Sequence, residues 1–441
     1  MATTITSRIV NINATVTRAP TPSQLQQSGA LVSIGGTTLA TNAYQYCGDL
    51  ATVESLLSSA GNYAELLHMA TTFFAQGNSV GLYLLELGVG TVVDDEITAL
   101  QTWITNNPSV FYAYLVPATW DYSKDAVGSV IITNGGTGYT AAPDVIFSAP
   151  ISGTTATGTA IIQNGIVVAV TITNPGNGYT AAPTVTFSAP TSGTTATGTA
   201  NLASALDIVA SDYASPTGKT YFCVTTSSAN VANYSTQKSV FAVVPAPTAP
   251  SSEFTAAAFF YQALVNNPNA ANKLAPLSYR YLSGVTPWVP SGNQTTINAI
   301  LTAYGNIVET GAEGGISQAC IFKGTTMDGA QFSWWYGIDW VQIQENITVA
   351  AAVINGSNSN PPLLYDQHGV NTLQADAQNR ANDAVTFGCA QSAVVTATSF
   401  YDYTTQNPGD YTAGIYNGLS CTVVGQNGFL TLTFNLNAVQ L

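Results

Sequence analysis

The stretch YAELLHMATTFFAQGNSVGLYLLELG, residues 63–88, decides the fold class. In its first half Tyr63, Leu66, Leu67, Ala70 and Phe74 recur at the spacing of one face of an α-helix. SVGLYLLELG then runs apolar without alternation, as a strand covered on both faces does. Downstream, Ile97, Leu100, Trp103 and Ile104 share a second helical face, and FYAYLVPA reads as the next strand. Asp94, Asp95 and Glu96 fall in the first turn of that second helix, where negative charge suits the helix dipole. Much later the same alternation resumes with helical ASALDIVASDYA, strands YFCVTT and KSVFAVVP, and helical EFTAAAFFYQALV. Helix alternating with strand predicts an α/β layer structure.

Between these two runs lies a repeat of period 40. VIITNGGTGYTAAPDVIFSAPISGTTATGTA, from Val130 to Ala160, returns as VTITNPGNGYTAAPTVTFSAPTSGTTATGTA from Val170 to Ala200, with 25 of 31 positions identical. Apolar alternation at Val168, Val170, Ile172 and again at Val185, Phe187 is broken by Asn174, Pro175, Gly176, Asn177 and Gly178, the pattern of short antiparallel strands. Residues 128–200 therefore read as a small all-β unit set into the α/β layer. From about residue 290 the chain turns helix-rich. Ile297, Ile300, Leu301, Tyr304 and Val308 share a face, as do Trp340, Gln344, Ile347, Ala351 and Ile354, and Val370, Leu373, Ala377, Ala381 and Ala384. Gly388 is placed to stop the last of these helices.

Both ends alternate like half-buried strands with no adjacent partner. Val10, Ile12, Ala14 and Val16 alternate with Asn and Thr at the start, and Leu430, Leu432, Phe434 and Leu436 do so at the finish. Each end could form an edge strand of its own subunit or cross to a neighbour and complete its sheet. A net ~1 kcal/mol per hydrogen bond and ~1.5–3 kcal/mol per buried apolar side chain give one crossing arm on the order of 10 kcal/mol before entropy is subtracted.

Composition narrows the function classes. Charged residues make up 7% of the 441, against ~25% in a typical soluble protein. A coat of uncharged polar residues suits chains that pack against one another, and also suits a secreted or heat-tolerant β-rich protein. The net charge of −14 argues against a nucleic-acid partner, and no long apolar run spans a membrane. The N-terminus lacks the charged and apolar regions of a standard export signal. Five widely spaced cysteines, Cys47, Cys223, Cys320, Cys389 and Cys421, read as buried free thiols of a reducing compartment.

Catalytic chemistry is thin. His68 sits in apolar ELLHMATTFF as a packing residue and His368 in LLYDQHGV, too few for a metal cluster. Nucleophile-elbow, dinucleotide and phosphate-loop patterns are absent in context, and the acidic run Asp94, Asp95, Glu96 is accounted for by a helix start. No cofactor, metal or catalytic residue is expected, and the chain is read as a structural protein and not an enzyme.

The C-terminal half carries a family resemblance. Its matching features are Tyr304, Gly305 and Asn306, then GTTMDGAQFSWWYGIDWVQ, PPLLYDQHGVNTLQADAQNRANDAVTFG, GDYTAGIYNGLS and a closing strand. In this order the chain resembles the contractile tail sheath proteins of myophages, in a divergent branch. In that pattern a turn at Gly324, Asp328 and Gly329 leads to an aromatic strand, a helix opens at Asp339 and Trp340, and Pro362, Tyr365, Asp366 and Gly369 precede a long helix. The resemblance implies an α/β sheath core with an inserted all-β repeat domain and extended N- and C-terminal strand arms. Its parts would be an N-terminal arm (1–20), two α/β core parts (21–127 and 201–285) flanking the insertion (128–200), a helix-rich inner C-terminal domain (286–427) and a C-terminal arm (428–441). It implies a virion subunit, assembled in the host bacterial cytoplasm, that stacks as hexameric rings around a tail tube. Its partners would be itself, the tube protein, and baseplate and tail terminator proteins, with no nucleic acid and no membrane. Contraction would drive the tube through the host envelope, with arms woven between neighbours. The cations available after residue 260 for a tube contact are Lys273, Arg280, Lys323 and Arg380; either they dominate that contact or it is mostly uncharged. A baseplate or capsid component, or a surface adhesin binding glycans through its β repeats, is the alternative reading.

Overall fold

The structure, a computed structural model, describes residues 22–90, 93–121, 125–203, 205–271, 273–311 and 314–430. The chain first lays down β1 (Gly29–Ser33), β2 (Tyr44–Cys47), β3 (Leu82–Glu86) and β4 (Ala113–Leu115). It then runs through β5 (Ala126–Asn134), β6 (Asp144–Phe147), β7 (Thr157–Gln163), β8 (Ile166–Asn174), β9 (Val185–Phe187) and β10 (Thr197–Ala203) before β11 (Tyr221–Thr225) and β12 (Val240–Val243). β11 and β12 rejoin the first strands in one six-stranded sheet of order β12-β11-β4-β1-β3-β2, while β5 to β10 form two smaller sheets of their own. Ala113 of β4 thus lies directly beside Tyr221 of β11. Five strands of the large sheet are parallel and only β2, at its edge, is antiparallel.

β1, β3, β4 and β12 are buried at every position, which is why their sequences are continuous apolar runs. Successive side chains of each strand point to opposite layers. On one side Leu31, Leu82, Leu84, Leu115, Cys223, Phe241 and Val243 meet α2 (Tyr63–Phe74) and α5 (Thr255–Leu264). On the other, Ala30, Val32, Tyr83, Leu85, Tyr114, Phe222, Val224 and Ala242 meet α3 (Val93–Asn106), α4 (Ala205–Asp212) and α6 (Gln294–Thr302). Each fully buried Leu, Val or Phe side chain contributes about 1.5–3 kcal/mol, so the sheet and its helices hold most of the apolar stabilisation. The α/β layer expected from residues 63–88 is the observed core. α1 (Leu50–Leu56) is a short helix capped by Asp49, whose carboxylate accepts from the Thr52 amide at 2.8 Å.

The rest of the chain comprises the antiparallel pair β13 (Ile307–Thr310) and β14 (Ala319–Phe322), then α7 (Phe332–Ser357), α8 (Gln367–Thr386), β15 (Ala390–Ala397), α9 (Phe400–Gln406), α10 (Pro408–Ala413) and β16 (Leu419–Gly425). One expectation is corrected here. The aromatic run after Gly329 is not a strand, and the helix does not open at Asp339 and Trp340: α7 begins at Phe332. Phe332 and Tyr336 suit a two-residue period as well as a helical one, but the buried set Phe332, Tyr336, Asp339, Trp340, Ile343 and Gln344 fits only the helical period. Asp328 secures the turn before it, accepting from the Ala330 amide at 3.1 Å and from the Trp335 indole at 2.9 Å. α8 stops as expected. Gly388 adopts φ +72°, its amide donates to Val385, and the Cys389 amide reaches back to Ala384.

Candidate assembly surface

α7 is joined to the large sheet by a buried polar cluster. Asp339 is 0% exposed, and its Oδ2 accepts from the hydroxyls of Tyr112 at 2.8 Å and Tyr221 at 2.7 Å. Lys238 Nζ lies 3.6 Å from Oδ1. The same ammonium donates to the carbonyl oxygens of Gly218 at 2.6 Å and Pro216 at 3.2 Å, and sits 4.3 Å from the centre of the Trp335 ring. Burial pushes the Asp339 carboxyl up to about 6 against the pull of Lys238 and the two tyrosines, and burial lowers Lys238. Every polar atom of this cluster points inward, so it fastens two parts of the fold and offers no surface to a substrate. Its sequence signal is a lone charge at or inside an apolar run, Lys238 at the head of KSVFAVVP and Asp339 within WWYGIDW.

β15 and β16 form a two-stranded antiparallel sheet with Val395 opposite Cys421, and among the described residues no third strand joins it. Its inner face, Ala393 and Val395, packs on Ala377 and Ala381 of α8. The two edges differ. Gln378 accepts from the Val395 amide at 2.8 Å and donates to the Ala393 carbonyl at 3.1 Å, and Gln374 donates to the Val395 carbonyl at 3.2 Å. These glutamines occupy backbone groups on the far edge of β15, as a pairing strand would. Between α7, α8 and the inner face of this sheet lies a cavity of about 210 Å³ lined by Glu345, Asn346, Val349, Ala377, Val395 and Leu419, among others.

Both carboxylate oxygens of Glu345 are buried there without a hydrogen-bond partner. Burial pushes the carboxyl up to about 7, with Arg380 opposing. A carboxyl whose folded-state pKa is raised stabilises the fold fully below its ordinary value and loses that contribution as pH rises through the raised one. Replacing Glu345 with Gln should therefore stabilise the isolated chain by about 1–2 kcal/mol at pH 8, after discounting for partial exposure, and much less at pH 5. Thermal unfolding at the two pH values measures the difference.

The residues expected to act lie in several settings. Val10, Ile12, Ala14 and Val16, and likewise Leu432, Phe434 and Leu436, fall outside the described residues. Leu430 is described: its carbonyl accepts from the Tyr279 hydroxyl, and it borders a groove of about 530 Å³ with Tyr279, Asn298, Leu301 and Lys323. Just before it Gly428 is clamped by Gln331, amide to Oε1 and carbonyl to Nε2, each at 2.8 Å. Arg280 lies across the same loop, its carbonyl accepting from the Ile321 amide at 3.0 Å, and burial lowers its guanidinium. Lys273 is exposed near Gly388 at the end of α8. Arg380 is engaged within the fold, 3.2 Å from Asp383 and 5.5 Å from the Trp340 ring centre. The four cations thus do not gather on one element.

His68 is half-buried on α2 and His368 exposed on α8. Among the described residues no three metal-ligating side chains come together, and no helix is long and apolar enough to cross a membrane. All five cysteines are free; four are buried, and Cys421 is exposed.

The chain matches no protein-family model and no curated protein by sequence. Solved structures do match. The contracted-state helical sheath of the anti-feeding prophage, determined by cryo-electron microscopy, is similar over 100% of this chain and 99% of its own, at 10% identity and TM-score 0.50. Crystal structures of sheath tail proteins from Listeria innocua (11% identity, 84% of this chain and 88% of that one) and Desulfitobacterium hafniense (12%, 88% and 93%) each give a TM-score of 0.37. At such identity the likeness is one of architecture, and it extends from one end of the prophage protein to the other. The fold of this chain is that of the helical sheath protein of the anti-feeding prophage.

Proposed function

We propose that the chain is a structural subunit of a phage contractile tail sheath, stacking as hexameric rings around the tail tube and contracting to drive that tube through the host envelope. The observation that carries this reading is the end-to-end likeness to a helical sheath protein in its contracted state. The two-stranded β15–β16 sheet supports it, since a sheet this small gains stability from added strands. With glutamines seated along β15, the edge open to an incoming arm is that of β16, beside the desolvated Glu345. The arms at residues 1–20 and 428–441 then link neighbouring copies, and residues 128–200 form a module on the outside of the sheath. Lys273, Arg280 and Lys323 remain the cations available to the tube, while Arg380 has partners of its own.

Removing residues 429–441 tests the reading. The truncated chain is expected to fold and to remain small in solution, whereas the intact chain forms long hollow tubes visible by electron microscopy. Normal tubes from the truncated chain would remove the arm assignment, and discrete small oligomers from the intact chain would favour a baseplate or capsid component.

A further inference from the structure

The two 40-residue repeats are related by an internal two-fold axis, which their main strand pairings and core contacts obey, although β6 pairs with β7 over three residues and β9 meets β10 at a single bridge, Thr184 to Thr199. β7 pairs with β8 in the same register, irregularities included, as β10 with β5: Thr157 faces Asn174 as Thr197 faces Asn134, and Gln163 faces Ile166 as Ala203 faces Ala126. Between β6 and β9 the axis passes through the pair Ile146 and Thr186, exchanging Val145–Phe187 with Phe147–Val185. Backbone bonds come in mates. The Val127 amide donates to Pro175 as Val167 does to Gly135, and Thr137 donates to Thr194 as Asn177 does to Thr154. The Tyr179 hydroxyl accepts from the Ala156 amide at 2.8 Å, and the Tyr139 hydroxyl from the Ala196 amide at 2.9 Å.

Neither repeat closes a core alone. One cluster joins Val127, Phe147 and Ala156 of the first repeat to Tyr179 and Ala200 of the second; its mate joins Val167, Phe187 and Ala196 to Tyr139 and Ala160. Each repeat also begins in one ladder and ends in the other. The first starts in the β5–β10 ladder and finishes in β7–β8, and the second returns. At the far ladder the chain reverses at Asn164 and Gly165, with φ of +53° and +75° suited to a tight two-residue hairpin turn. At the near ladder the corresponding positions lead into the rest of the protein.

We infer that each repeat is one half of an isologous self-recognition surface whose partner is a second copy of the same segment, supplied within the chain when repeats are even in number and by another chain when they are odd. With one repeat, entry at Ala126 and exit at Ala203 fall in different ladders. Only a second chain then supplies the missing strands. The same geometry hands residues 204–441 of each chain to the other, so that the β4–β11 seam of the large sheet forms between chains.

The test compares three forms of the chain, each also lacking residues 429–441 so that it stays small in solution. Removing residues 140–179 fuses Tyr139 to Thr180 and leaves one repeat; this form is expected to double in mass relative to the monomer by light scattering. Removing residues 127–202, with an Asn-Gly turn joining Ala126 to Ala203, is expected to leave the monomer mass unchanged, although the deletion is larger. Duplicating residues 140–179, which makes three repeats, is expected to double the mass again. Mixed preparations of differently tagged one-repeat chains should not exchange until unfolded, because exchange opens the sheet; links through the arms would exchange in native buffer. A folded monomer from either the one-repeat or the three-repeat chain overturns the inference.

Discussion

Replacing Asp339 with Ala is expected to destabilise the folded chain by about 3–5 kcal/mol, read as a lower urea midpoint, because it strands a buried ammonium. Lys238 is 3% exposed and among the described residues Asp339 is its one ion-pair partner, while the Tyr112 and Tyr221 hydroxyls lose the acceptor they share. Removing both charges together, with Asp339→Leu and Lys238→Met, should cost far less than Asp339→Ala, since the desolvation of two ions disappears with them. Equal costs for the single and double variants would show that packing, not charge, governs the site. The same carboxyl shapes the pH profile. Its pKa is raised from an ordinary 3.8 to about 6, so its contribution to stability is full below 3.8 and falls as pH rises through 6. That fall is on the order of 3 kcal/mol, and it should vanish in the double variant.

Glu86→Ala is expected to cost about 4 kcal/mol or more and to loosen the loop after β1. Glu86 is 2% exposed and accepts five hydrogen bonds: from Ser33 Oγ at 2.6 Å, the Thr37 amide at 3.1 Å, Thr37 Oγ1 at 2.7 Å, and the Gly35 and Gly88 amides at 2.7 Å each. Bonds to a charged acceptor are worth about 1.5–3 kcal/mol apiece and do not simply add, but five orphaned donors cannot all reach water. The loop itself leaves little room to adjust. Gly35 holds φ +77°, and a Cβ there would stand 2.3 Å from Val89. Burial alone would raise this carboxyl, yet the donors outweigh it and hold the pKa below its ordinary value. Its contribution is therefore present above pH 4.5 and lost as pH falls, opposite in sign to that of Asp339. Hydrogen exchange at residues 34–38 measures the loosening; protection unchanged in Glu86→Ala would show that the glycine turn holds without its acceptor.

Glu86 and Asp339 show where sequence reading reaches its limit. Each is visible as a charge inside an apolar run, which marks it as paired, but the partners of Asp339 come from 100 or more residues away, at or just before the starts of three different strands, β4, β11 and β12. The aromatic run 332–340 was misread for a related reason. Over so few residues two periods coincide, and contact with the Tyr112 and Tyr221 side of the sheet selects the helix. Similarly, the chemistry at the β16 edge was hidden: Glu345 is an ordinary helix residue in sequence, and only the packing of α7 against β16 removes its carboxylate from water without a partner.

By itself the sequence determined the local elements, because helical and strand periods are properties of consecutive residues: the helix at 63–74, the apolar strands around it, the stop at Gly388 and the existence of two copies of one 40-residue segment. Only the tertiary structure decided how those copies use one another. The β5–β10 pairing joins residues more than 60 positions apart, and nothing in a repeat's own period says whether its last strand returns to its first or crosses to its twin. Here it crosses, because the cores close only when each tyrosine is buried in the other repeat's cluster.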